Sequence, residues 1–113
     1  MIESELKSVF IGNSVFQKHF HRIIIDGKEV GYIQILSYNG NPQIEYNLDE
    51  KYHNKGIMTR ELGQYLDTIK NDYKALTAVV KEDNLASIRV LIKNGFIQIP
   101  FGKAGYKIYL KKL

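Results

Sequence analysis

Between Lys51 and Leu62 the chain reads Lys-Tyr-His-Asn-Lys-Gly-Ile-Met-Thr-Arg-Glu-Leu. A short basic loop with one glycine, Gly56, runs directly into an amphipathic pattern. Such a loop can cradle phosphate. The first N–H groups of a helix have no partner within it and carry a partial positive charge. A glycine lets the backbone approach an anion closely, and Lys55 adds a point charge beside it. His53 adds another only when protonated. A plain strand-turn-helix connection also needs a glycine and a polar loop, so the stretch taken alone supports both readings. A second constellation begins 28 residues after Gly56: Asn84-Leu-Ala-Ser-Ile-Arg-Val-Leu-Ile-Lys-Asn-Gly-Phe96. Asn84 suits a helix N-cap, and Asn94-Gly95 suits a helix end.

The elements that must hold these residues are legible from periodicity. The N-terminal half reads as strands: 6–11, then an extended run over 14–26, 30–36 and 43–48. Gly12-Asn13 and Asp26-Gly27 are hairpin signals, and 39–42 is a turn. In the fourth strand Ile44, Tyr46 and Leu48 share one face, and Gln43, Glu45 and Asn47 share the other. The period then changes. Met58, Leu62, Tyr65, Leu66 and Ile69 form a helical stripe, with Thr59 placed to help cap its start. Residues 75–80 form a short apolar strand of the kind found inside a sheet. A second helix opens at 82–84, with Leu85, Ile88, Leu91 and Ile92 on its apolar face. Strands around 97–99 and over 106–110 close the order β-β-β-β-α-β-α-β-β. The helical crossover places 44–48 beside 75–80 as parallel neighbours. The fold class is therefore α/β (α+β), with a mixed, mostly antiparallel central sheet and helices on its faces.

With 113 residues the chain forms one domain, 1–113, with one ordinary core. No apolar run is long enough to span a membrane, and Met1–Leu6 lacks the apolar region of a secretory signal. With no cysteine there is no disulfide framework, no zinc–cysteine site and no thiol nucleophile, which fits a reducing cytoplasm. Three scattered histidines without paired carboxylates offer no metal site. The net charge of +4 and pI of about 9.2 suit either a merely soluble surface or an anionic ligand. Basic residues are dispersed, which favours a small anion over a nucleic-acid track.

The loop and the Asn-to-Gly-Phe segment, in this order and at this spacing, resemble the GNAT superfamily of acyl-CoA-dependent N-acetyltransferases. The family loop pattern is Gln/Arg-x-x-Gly-x-Gly/Ala. Here it reads His53-Asn-Lys-Gly-Ile-Met58, so Gly56 matches strictly, while His53 and Met58 depart. Gly-Ile-Met-Thr-x-Glu is similar to the branch that acetylates ribosomal-protein N-termini. Asn84, Ser87 and Gly95-Phe96 fit the family's second motif closely.

The resemblance implies acetyl-CoA as acyl donor and no metal. It implies that Tyr46, Asn47 and Leu48 pair through their backbone with the pantetheine arm, on a strand splayed from its parallel neighbour. The loop His53, Asn54, Lys55, Gly56, Ile57, Met58 and Thr59 would hold the pyrophosphate. Asn84 would bond the pantetheine or the loop that holds it. The implied reaction is direct attack of a primary amine (a protein N-terminus, a lysine or a small amine) on the thioester. Glu45, on the cofactor-proximal strand, is the candidate base. Many relatives place a tyrosine where this chain has Leu91, so Ser87 or Tyr106 is the candidate acid. His19 or His21 can also face a site, although a lone strand histidine is more often structural.

The chain departs from the family at its start. Most relatives insert two helices between the first two strands, and 12–18 is too short for them. The acceptor pocket is then open, or completed by another chain, as in a homodimer. An open site suits a macromolecular amine. The alternative is a catalytically weak acetyl-CoA-binding module that regulates a protein partner. A small basic nucleic-acid binder is a third and weaker reading, and no membrane partner is expected.

Overall fold

A computed structural model describes the backbone of residues 2–11, 16–38, 40–100 and 102–113, and side chains from residue 20 onward except 38, 39 and 101. The order is β1 (Ile2–Ile11), β2 (Phe16–Ile25), β3 (Lys28–Tyr38), β4 (Asn41–Leu48), a 3₁₀ turn (Glu50–Tyr52), α1 (Ile57–Ile69), β5 (Ala75–Lys81), α2 (Leu85–Lys93), β6 (Ile97–Ile99) and β7 (Tyr106–Lys112). The seven strands form one sheet in the order β1-β2-β3-β4-β5-β7-β6. Among the described residues only the β4–β5 pairing is parallel.

The Asp26-Gly27 hairpin forms as expected. Both residues have positive φ, 51° and 77°, as a two-residue turn matched to strand twist requires. The Gly12-Asn13 turn lies outside the described residues. β1 starts at Ile2 rather than at residue 6, because it pairs with β2 along its full length, from Ile2 opposite Ile25 to Ile11 opposite Phe16. The expected 39–42 turn is shorter, since β4 already begins at Asn41. Pro42 sits second in that strand, near its start, where a missing N–H is tolerated.

Both helices lie on the same face of the sheet. Cross-strand register places His21, Ile33 and Tyr46 on one face. His21 Nε2 is 3.2 Å from Glu61 Oε1 on α1, and the Tyr46 hydroxyl bonds Ser87 on α2. The core follows from this. Ile23, Ile33, Ile35, Ile44, Leu76, Ala78, Val80 and Tyr109 meet Leu62, Tyr65, Leu66, Ile69, Ile88 and Leu91. The opposite face carries Tyr32, Gln34, Glu45, Thr77, Val79 and Ile108, and no helix among the described residues covers it. Val79 is accordingly 43% exposed and Ile97 72%. Strand β5, expected to be buried as a sheet-interior strand, is buried on one face only for the same reason. On α2 only Ile88 and Leu91 are buried, while Leu85 and Ile92 face solvent. The apolar stripe is thus narrower than the four residues suggested.

Local signals place the helix ends. α1 begins at Ile57, and its N-cap, Gly56, has φ 75° with no side-chain cap. Thr59 is the third helical residue and does not cap, because the chain enters the helix at the left-handed glycine. Asn84 caps α2, its side chain accepting from the Ser87 N–H at 3.2 Å. α2 ends in a Schellman motif at Asn94-Gly95: the Phe96 N–H reaches the Leu91 carbonyl and the Gly95 N–H reaches that of Ile92, both at 3.0 Å. The Asn94 amide then donates to the Thr59 carbonyl at 3.1 Å, tying the end of α2 to the start of α1.

Candidate active site

The sheet parts where the helices begin. β3 and β4 pair from Gly31–Leu48 to Tyr38–Asn41. β4 and β5 pair only at Gln43–Thr77, reinforced by the Thr77 hydroxyl donating to the Pro42 carbonyl at 3.3 Å. Beyond that rung β4 leaves its neighbour, so Tyr46, Asn47 and Leu48 have no strand beside them on the β5 side. A cavity of about 400 Å³ opens there, bounded by the end of β4, the loop and first turn of α1, and one side of α2 along its length. That volume falls within the ordinary range for a small-molecule site, about 300–1,000 Å³.

Of the residues assigned to the acyl donor, Tyr46, Asn47, Leu48, His53, Asn54, Gly56, Ile57, Met58, Thr59 and Asn84 all line this cavity. Lys55 is exposed beside it, with its ammonium 6.0 Å from the Tyr52 ring. Tyr52 also carries Lys51 at 5.1 Å on its ring. The loop is shaped by two left-handed residues, Asn54 (φ 60°) and Gly56 (φ 75°). A Cβ on Gly56 would meet nothing within 4 Å, so the glycine serves the backbone turn and leaves the space above it open. Gly31 has the opposite reason. A Cβ there would fall 2.4 Å from the Asn47 carbonyl oxygen, so Gly31 lets β3 and β4 close together just before the loop.

His53 faces inward. Its Nε2 lies 2.6 Å from the Leu48 carbonyl, which can only accept, so Nε2 carries the hydrogen. It thereby satisfies a carbonyl at the end of the parted strand. Asn84 lines the cavity while capping its own helix. Ser87, in the same turn, has its hydroxyl 2.8 Å from that of Tyr46. Burial pushes the Tyr46 phenol up to about 12, and the Ser87 hydrogen bond offsets this in part.

Two other candidate residues stand outside the cavity. Glu45 projects onto the bare face and accepts from the Gln34 amide at 3.3 Å. Tyr106 starts β7 on that same face, with Lys103 6.0 Å from its ring. His21 belongs to the core, paired with buried Glu61, and does not face the cavity; the side chain of His19 lies outside the described residues. Leu91 is fully buried. The far wall of the cavity, formed by Ala86, Arg89, Val90 and Lys93, was missed. Its signal was the 3–4 spacing of those residues on α2, which sets two cations toward the anion cradle. No group of side chains able to hold a metal ion occurs among the described residues.

The family model of the acetyltransferase (GNAT) domain matches residues 3–97. The chain belongs to this family of acyl-CoA-dependent N-acetyltransferases. Solved structures share the fold. A ribosomal-protein-S5-alanine acetyltransferase from Vibrio fischeri superposes with a TM-score of 0.71 at 19% identity, covering 84% of this chain and 61% of its own. RimL, a ribosomal L7/L12 alpha-N-protein acetyltransferase in complex with coenzyme A, gives 0.73 at 20% identity, with 85% and 62% covered. A domain from Methanocaldococcus jannaschii gives 0.73 at 23% identity, with 87% and 67% covered. The chain thus spans about three fifths of the length of the first two. No curated protein matches it.

Proposed function

We propose that the chain transfers an acetyl group from acetyl-CoA to a primary amine on a macromolecule, a protein N-terminus or lysine. The observation that carries this reading is the parting of β4 from β5 after one rung, directly beside an uncapped helix N-terminus. An extended amide-bearing arm fits such a gap as a substitute strand along Tyr46, Asn47 and Leu48. The phosphates fit the N–H groups at 56–59, with Lys55, Arg89 and Lys93 nearby.

In this reading the amine nitrogen bonds to the thioester carbon and the carbon–sulfur bond breaks. A backbone N–H of the parted strand stabilises the oxygen that gains charge. Glu45, on the face the acceptor approaches, draws the amine's proton through water. Ser87 donates a hydrogen bond to the departing sulfur. The bare sheet face supports a large acceptor, since no helix among the described residues closes that side. The names of the two ribosomal-protein acetyltransferases point the same way. A second reading, an acetyl-CoA-binding module with little turnover, draws on Leu91, which leaves that buried position without a hydroxyl.

Thermal unfolding with acetyl-CoA, CoA and ATP tests the cradle. At about 100 times its dissociation constant a ligand adds roughly 2.7 kcal/mol, which for this size raises Tm by about 10 °C. A rise with both acetyl-CoA and CoA but not with ATP is expected. No rise in a folded sample would overturn the reading. Acetyl transfer to a peptide N-terminus, lost in Glu45→Gln, then separates the enzyme from the binding module.

A further inference from the structure

We infer that the bare face of β5, β7 and β6 docks an acidic amphipathic helix of the macromolecule that supplies the amine. The inference rests on the acetyl-transfer reading and names the chemistry of its acceptor.

Cross-strand register builds an apolar stripe on this face. Val79, Ile108 and Ile99 stand in one row across the three strands, and Leu110 and Ile97 stand in the next. Ile97, Val79 and Tyr106 are exposed. Apolar side chains exposed in contiguous rows, rather than singly, mark an interaction surface. At a strand spacing of roughly 4.8 Å, β5 and β6 lie roughly 10 Å apart, about the diameter of one helix. The stripe has the width of a helix and not of a second sheet.

Charge sets the kind of helix. β5, β6 and β7 contain no aspartate or glutamate, and none occurs between Asn84 and Leu113. Lys81 stands opposite Tyr106 at one end of the stripe, and Lys112 stands opposite Ala75 at the other. Both lysines are exposed. Lys103 adds a third cation beside Tyr106. A helix whose apolar face is flanked by carboxylates complements such a surface, apolar in the middle and cationic at both ends. A second copy of this chain does not: stripe against stripe sets lysine on lysine, whichever way it is turned. An anionic membrane is disfavoured from the β4 side, where Glu45 shares the face.

Position ties the stripe to the reaction. Thr77 pairs with Gln43 at the last contact between β5 and β4. Val79 follows on the bare face, along the edge of the gap, and Glu45 stands on the same face across it. A helix on the stripe brings an amine at its β4 side to the gap. The cationic amine then meets Glu45, and the acidic flanks meet the lysines.

The test uses the whole chain and three synthetic peptides of about 18 residues, or roughly five helical turns, each with a free N-terminus. The first has a leucine stripe at helical spacing flanked by glutamates. The second is the same composition scrambled. The third carries lysine in place of glutamate. Amide NMR of the CoA-loaded chain reads binding without turnover, and acetyl transfer to each N-terminus reads KM and kcat. The first peptide is expected to bind at least about tenfold more tightly than the others. It is expected to shift the amides of Val79, Ile97 and Ile108 and to have the lower KM at similar kcat. Ile97→Asp, at an exposed position, is expected to weaken its binding about tenfold and leave the CoA-induced rise in Tm unchanged. Lys81→Glu combined with Lys112→Glu is expected to reverse the preference between the glutamate and lysine peptides.

Equal affinity for the amphipathic and scrambled peptides, or unchanged binding in Ile97→Asp, overturns the inference. Self-association of the chain, or binding to phosphatidylglycerol vesicles, that is lost in Ile97→Asp overturns it too, and assigns the face to a second copy or to a membrane. Docking without acetyl transfer, in a chain that binds acetyl-CoA, overturns the acetyl-transfer reading and the acceptor role while the docking site stands.

Discussion

α1 and α2 both turn their N-terminal ends toward the cavity, but their first N–H groups are treated differently. At α2 the chain supplies its own acceptor, the Asn84 side chain on the Ser87 N–H. At α1 the N-cap is a left-handed glycine with no side chain to offer, and no acid sits in the first turn. A capping side chain is worth about 1 kcal/mol. Leaving it out at one helix while keeping it at the other, within one cavity, is what the proposed phosphate cradle at α1 asks for. At the capped end the Asn84 side chain already holds the Ser87 N–H.

Each end can be disturbed separately. The largest effect is expected in alkali, at the tyrosine that ties the capped end to β4. Its phenol has a raised pKa in the fold, so the folded protein retains a proton that the unfolded chain loses first. Stability is therefore full below about pH 10 and falls as the pH rises through about 12, by up to roughly 3 kcal/mol for two units. Tyr46→Phe should flatten that part of the profile in denaturant melts at stepped pH. An equally steep decline would place the loss at other tyrosines, such as Tyr65 and Tyr73, which burial also pushes up.

Next in size is the conversion of the uncapped end into a capped one. Gly56→Asp places a carboxylate where the phosphates are proposed to sit, at a position whose left-handed φ aspartate tolerates better than most residues. Acetyl-CoA should bind at least tenfold more weakly, a loss of about 1.4 kcal/mol, while the apo protein stays folded. Undiminished binding by calorimetry would contradict the cradle. The smallest effect is the reverse change, Asn84→Ala. It should cost about 1 kcal/mol of stability and lower affinity less than Gly56→Asp does. A larger loss of affinity than of stability would show that Asn84 serves the ligand more than its helix.

Sequence alone carried the site as far as local rules reach. Gly56, Asn84 and Asn94-Gly95 were legible because caps and left-handed turns are decided by neighbours in the chain. The facing of Glu45 away from Tyr46 followed from strand alternation. What stayed hidden depends on partners far along the chain. That both helices share one face is set by the handedness of two successive crossovers. The His53 contact with the Leu48 carbonyl depends on how the loop folds back onto the end of β4. The Tyr46–Ser87 contact joins residues 41 apart in sequence, which no spacing rule links. Thr59 looked like a cap because Ser and Thr often are; the glycine three residues earlier had already set the helix entry.

A sheet of seven strands joined at its middle by the single Gln43–Thr77 rung is, mechanically, two leaves on one hinge. The first leaf is the four-stranded meander and the second is β5, β7 and β6. Among the described residues, α1, α2 and the Tyr46–Ser87 strut hold the angle between them. An arm threaded through the gap would then act as a wedge and a glue at once, and the width of the opening would follow what lies in it.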